Sequence, residues 1–117
     1  MTVQDETLEH ALTTLRAVVD RTRRRLAIER MGTDGRRAMQ LLRCPLDGLV
    51  AGVLYAMGGR MAVRRLYRSG RLPVVPFRYE SRGVLLELLK GASTWTEIRT
   101  QALACLRRLE NAAESQP

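Results

Sequence analysis

What this sequence nearly lacks narrows what it can be. Aromatic residues make up 4% of the 117, with one Trp and one Phe, so any core must be built from Leu, Val, Ala and Met. His10 is the sole histidine, and Cys44 and Cys105 stand far apart. That inventory offers no recognisable zinc-ligand spacing and suggests no His–Ser or His–Cys dyad. It points to two reduced, buried thiols rather than a disulfide. Gly58-Gly59 is not followed by Lys-Ser or Lys-Thr, so no phosphate-cradling loop is read there. Glu80, Glu87 and Glu97 could be paired carboxylates, but among so many arginines they read more simply as salt-bridge partners. The expectation is a binder and not an enzyme, with no metal and no cofactor.

Long apolar runs are missing too. LDGLVAGVLYAM (46–57) is the longest near-uncharged stretch, well short of the ~20 residues of a membrane span. The acidic, polar start MTVQDETLEH does not read as a secretory signal or a basic transit peptide. A cytoplasmic protein with no membrane partner is expected. Lysine is also nearly absent, since Lys90 is the only one.

Arginine is what the sequence has in excess. Twenty basic residues face twelve acidic ones, for a net charge of +8, and all but Lys90 are Arg. Arg makes bidentate contacts to phosphate and stacks on bases; a GC-rich genome would bias the sequence in the same direction. The excess sits in two blocks. Segment 21–43 carries eight arginines against Glu29 and Asp34, a net of +6. Segment 60–82 carries seven against Glu80, again +6. Two such blocks within one folded chain suggest a surface for an acidic partner.

The periodicity is helical almost throughout. Leu8, Leu12, Leu15, Val19, Thr22 and Leu26 alternate four and three residues apart, which predicts a helix over 4–31 with acidic first turns and Gly32 as its stop. A short helix is expected at 36–44. Pro45 suits the first position of a third helix, 45–57. Its Leu46, Val50, Val53 and Met57 share one side, and Gly48, Gly52 and Ala56 make a smooth ridge for a close neighbour. A fourth helix spans about 60–69, closed by Gly70. RLPVVPFRYE (71–80) holds two prolines and is read as an extended connector or short hairpin. Ser81 caps a fifth, nearly all-apolar helix. Thr94 and Glu97 form a capping box for a last helix, 95–113, with Trp95, Ile98, Ala102, Leu106, Leu109 and Ala113 as its seam. The expected fold is all-α: a single six-helix, bundle-like domain over 1–117, with a fraying tail at 114–117.

On a wheel at 100° per residue, Arg60, Arg64, Arg65 and Arg68 fall on one half of the fourth helix. Ala62, Val63, Leu66 and Tyr67 fall on the other, and Met61 alone crosses the line. Such a helix can track phosphates while its far side is anchored. Arg71, Arg78 and Arg82 extend the stripe. Tyr67, Phe77 and Tyr79 lie among them; Tyr67 and Phe77 suit the core, and Tyr79 is the better candidate to stack on an unpaired base. In the first block, Arg23, Arg24, Arg30, Arg36 and Arg37 are the candidates. Arg16, Arg23 and Arg30 recur every seven residues beside the apolar stripe, which suits a nucleic-acid contact and equally an arginine rim around a helix–helix or subunit contact.

MAVRRLYRSGRLPVV (61–75) resembles the recognition helix and the beginning of the wing in excisionase-like winged helix-turn-helix proteins, with Ala62, Val63, Leu66, Gly70, Leu72 and Pro73 on the pattern. The resemblance implies that Arg60, Arg64, Arg65 and Arg68 enter a groove of duplex DNA. The chain departs from the pattern before that helix, at AMGGRM, and after it, where VVPFRYES offers only Arg78 to a basic wing. Over its whole length the chain is similar to the small helical subunit of CRISPR RNA-guided effector complexes. Tyr67, Leu72-Pro73, GVLLELL (83–89) and TWTEIRTQALACLRRLE (94–110) follow the order found in one branch of that family. This implies a non-enzymatic protein that associates with copies of itself or with other subunits, and holds RNA or displaced single-stranded DNA on surface arginines. A helical protein–protein adaptor or phage-type inhibitor is the reading from another class.

Overall fold

The computed structural model describes residues 3–29, 43–72 and 93–114, and the side chains of residues 6–25, 43–72 and 95–112. Within them the chain forms four helices and no strand: α1 (Val3–Glu29), α2 (Leu46–Ala56), α3 (Arg60–Arg68) and α4 (Ser93–Glu114). The all-α architecture expected from the sequence is present. Most of the helix expected at 36–44, the connector 73–80 and the fifth helix lie outside the described residues. Arg43 and Cys44, the expected end of that 36–44 helix, form a turn and a bend instead.

α1 and α4 are the two long helices and pack most extensively on each other. Arg21, late in α1, meets Glu97, early in α4, and the earlier Arg16 lies near the later Cys105, so the two run antiparallel. The α1 stripe is buried as its spacing predicts: Leu8, Leu12, Leu15, Val19 and Thr22, joined by Val18. Thr22 satisfies its buried hydroxyl by donating to the Val18 carbonyl at 2.9 Å. From α4 come Ile98, Ala102, Leu106 and Leu109, with Cys105 completing the seam. Each fully buried Leu, Ile or Val contributes about 1.5–3 kcal/mol relative to exposure.

α2 is enclosed more completely than its apolar side and small-residue ridge suggest. Gly48 through Leu54 are seven consecutive buried residues, so the helix is enclosed on all sides and only its ends reach the surface. Gly48 and Gly52 of the expected ridge lie within that buried run, and Ala56, its third member, is half-buried. Leu46 and Met57, expected on its packed side, are only partly buried. Pro45 is the N-cap, at φ −56° and ψ 145°, one residue before the helical position expected for it.

Helices α2 and α3 end in the same way. Gly58 (φ +89°) and Gly70 (φ +76°) are both left-handed. The Gly58 and Gly59 N–H groups donate to the Tyr55 and Leu54 carbonyls at 3.1 and 3.0 Å. The Gly70 and Arg71 N–H groups donate to the Tyr67 and Leu66 carbonyls at 3.2 and 3.1 Å. Both are Schellman motifs, which place a glycine just past the helix and satisfy its last carbonyls. Gly59 is needed for a second reason: a Cβ there would strike the Leu106 side chain and come within 2.7 Å of the Leu54 carbonyl. The α2–α3 turn and α4 therefore touch backbone to side chain, and α3 leaves that junction in a fixed direction.

The last helix begins at Ser93 and not at Trp95, so Thr94 lies inside it. Glu97, assigned to a capping box, instead holds Arg21. No described helix is long and apolar enough to cross a membrane.

Candidate nucleic-acid interface

α3 is short, nine residues, and sharply two-sided. Ala62, Val63 and Leu66 are buried because they recur on the side turned to α2 and α4. Tyr67 is half-buried and packs against the same core. Its hydroxyl is buried and has no hydrogen-bond partner among the described residues. Burial, and then the nearby Asp47 carboxylate, raise its pKa. Tyr67 is thus an anchor, with its hydroxyl end turned into the protein.

Arg60, Arg64, Arg65 and Arg68 are all exposed. They cover an arc of about 140° on the helix. Arg60 lies over the Tyr55 ring, 5.3 Å from its centroid, a cation–π contact that steadies it without neutralising it. Arg64, Arg65 and Arg68 have no ion-pair partner among the described residues. The helix itself contains no acidic residue. Arg65 and Arg68 fall in its last turn, where the helix dipole favours cations.

The remaining candidates are placed differently. Arg71 is half-buried, its Nε 3.2 Å from Glu9 Oε1, so it ties the turn after α3 to α1 and does not extend the exposed stripe. Arg23 donates to Asp20 at 2.8 Å and to the Cys44 carbonyl at 3.2 Å. Arg24 meets the other Asp20 oxygen at 2.9 Å. Arg30, Arg36, Arg37, Arg78, Tyr79 and Arg82 lie outside the described residues. Whether 71–80 forms a wing falls there too, apart from Arg71 and Leu72. Leu72 is fully buried, and its N–H donates to the Leu66 carbonyl.

Arg16 is the residue whose role the sequence concealed. Read as one of a rim, it instead reaches between helices. Its Nε donates to Asp47 Oδ1 at 2.7 Å and its Nη2 to the Arg71 carbonyl at 2.9 Å. One side chain of α1 thereby holds the start of α2 and the turn that closes α3. It also lies near Cys105, whose thiol is nonetheless pushed up to about 11 by burial. Neither cysteine forms a disulfide, and Cys105 stays protonated and inert at neutral pH. Among the described residues no three His, Cys, Asp or Glu side chains gather as a metal site would require.

No family model matches the chain, and searches of the curated proteins and the solved structures return no match either.

Proposed function

We propose that this chain is a non-catalytic nucleic-acid-binding protein whose α3 contacts the phosphate backbone. The observation that carries the reading is the exposed arginine arc of α3, uncompensated by any acid on that helix, set on a helix whose opposite side is buried. Guanidinium groups free of acidic partners can displace the counterions of a polyanion with little internal reorganisation. The buried side of α3 fixes the helix that carries them, which lowers the ordering cost of binding. The similarity in helix order to the small subunit of CRISPR RNA-guided complexes supplies a setting in which that face would lie along RNA or displaced single-stranded DNA, beside other subunits or copies of itself.

One observation favours a second reading. α2 and α3 are joined by Met57-Gly58-Gly59, a short glycine-containing turn of the kind found in helix-turn-helix units. A duplex-reading regulator would use α3 in the major groove.

Binding to single-stranded RNA, single-stranded DNA and duplex, measured over a series of salt concentrations, tests both. Backbone binding gives a steep salt slope with little sequence preference. A selected duplex bound ~10³-fold better than a random one supports the regulator. Arg64→Glu combined with Arg68→Glu should weaken binding at low salt by about 100-fold or more with an unchanged circular dichroism spectrum. Undiminished binding would remove α3 as the contact. Failure of the wild-type protein to bind any nucleic acid would leave the adaptor reading.

A further inference from the structure

We propose that Met61 is an apolar contact for an unpaired base, which makes the α3 face a site for single-stranded nucleic acid and not for duplex. The inference rests on the backbone-binding reading and names the partner of the same surface. Among the described residues Met61 is the one large hydrophobic side chain that is exposed, at 57%. Its position is specific. At 100° per residue it falls between Arg68 and Arg65, inside the arginine arc. The core of the protein does not use it, because α3 is anchored through Ala62, Val63 and Leu66 on the other side.

The thioether matches no phosphate. It is a flexible, polarizable group that makes favourable contacts with aromatic rings. A strand that pairs its phosphates with the surrounding guanidiniums presents whole base rings to Met61 when its bases are unpaired, at no unstacking cost; a duplex would have to be kinked and unstacked to do the same. The flanking architecture agrees. In helix-turn-helix docking the first helix crosses the phosphate backbone while the second enters the groove. Here the first helix, α2, is buried from Gly48 to Leu54 and cannot lie across a backbone without leaving the core. That leaves α3 to face the partner without it. Between Arg60 and Arg68 there is no Asn, Gln, Ser, Thr, Asp or Glu, so any base-edge reading is confined to arginine, and recognition is expected to tolerate sequence.

Fluorescence anisotropy with labelled single-stranded RNA, single-stranded DNA, the corresponding duplex and inorganic polyphosphate, a polyanion with no bases, tests this. The wild-type protein should bind one or both single strands about ten-fold more tightly than duplex of equal length, and the RNA and DNA arms report which is preferred. Met61→Ser should weaken single-strand binding by about five-fold and leave polyphosphate binding unchanged, whereas Met61→Leu should retain most of the affinity. Equal single-strand affinity for Met61→Ser and wild type, or a preference for duplex, overturns the inference while the backbone reading stands. Loss of all binding in the wild-type protein overturns both.

Discussion

α1 and α3 both carry closely spaced arginines, but they differ in what the guanidiniums touch. The two blocks to which they belong each carry a net charge of +6. On α1, Asp20 holds both Arg23 and Arg24, and Arg21 reaches Glu97 of α4 at 2.6 Å. On α3, Arg64, Arg65 and Arg68 face outward with no acid on their helix. The difference lies in where the acids fall. Asp20 is one turn before its arginines, a spacing at which helical side chains meet. The nearest acid to α3 that precedes it in the chain, Asp47, is already held by Arg16. Charge summed along the sequence overstates what α1 offers a partner and describes α3 well.

The comparison is broken most forcefully from the inner side of α3. Leu66 is fully buried, so Leu66→Ala should cost about 2–5 kcal/mol, read as a lowered midpoint in urea denaturation. Nucleic-acid binding should fall with the folded fraction and recover where the variant is held folded at low temperature. Full binding by an unfolded Leu66→Ala chain would mean that the arginines act as a loose basic tract, and the contrast with α1 would lose its structural meaning.

A smaller effect is expected at the strut between the two regions. Arg16→Ala removes the ion pair to Asp47 and the hydrogen bond to the Arg71 carbonyl. Both groups are part-exposed, which limits the loss to about 1–2 kcal/mol. The same variant should loosen the turn at Arg71–Leu72, visible as faster amide exchange there and slower change within α1. Uniform exchange throughout would show that Arg16 supports the whole core and not the end of α3 in particular.

How far the sequence foretold this contrast depends on the range of each interaction. The α1 stripe, the α4 seam and the glycine stops at Gly58 and Gly70 were legible because they depend on spacings within one helix. So was the two-sidedness of α3, where every arginine lands on the exposed side and Ala62, Val63 and Leu66 on the buried one. The silencing of α1 was half legible: Asp20 to Arg23 and Arg24 is a local pair. Arg16 to Asp47, Arg21 to Glu97 and Arg71 to Glu9 join residues 31 to 76 positions apart, and no periodicity reveals them. The enclosure of α2 was legible only in part, from its apolar side and its small-residue ridge, for a related reason. An apolar side can be read from the helix itself, but being covered on every side depends on what packs around it. The start of α4 was misplaced because Thr94 and Glu97 have the spacing of a cap, whereas Thr94 already lies within the helix and Glu97 reaches across to Arg21 of α1.

The finest test sets one exposed arginine of each helix against the other. The Arg24 side chain is 69% exposed yet pairs with Asp20, whereas Arg65 is exposed and without an acidic partner among the described residues. Arg24→Ala should change single-strand affinity by less than about two-fold, and Arg65→Ala should reduce it about three- to five-fold while lowering the salt slope by about one. Exposure is similar in kind and residue type is identical, so the outcome isolates the effect of the internal acid. Exposed ion pairs are weak, and a phosphate could in principle draw Arg24 away from Asp20. If it does, the two substitutions will weaken binding equally. Asp20 would then be a placeholder that a polyanion displaces, and the two arginine blocks would act as one surface.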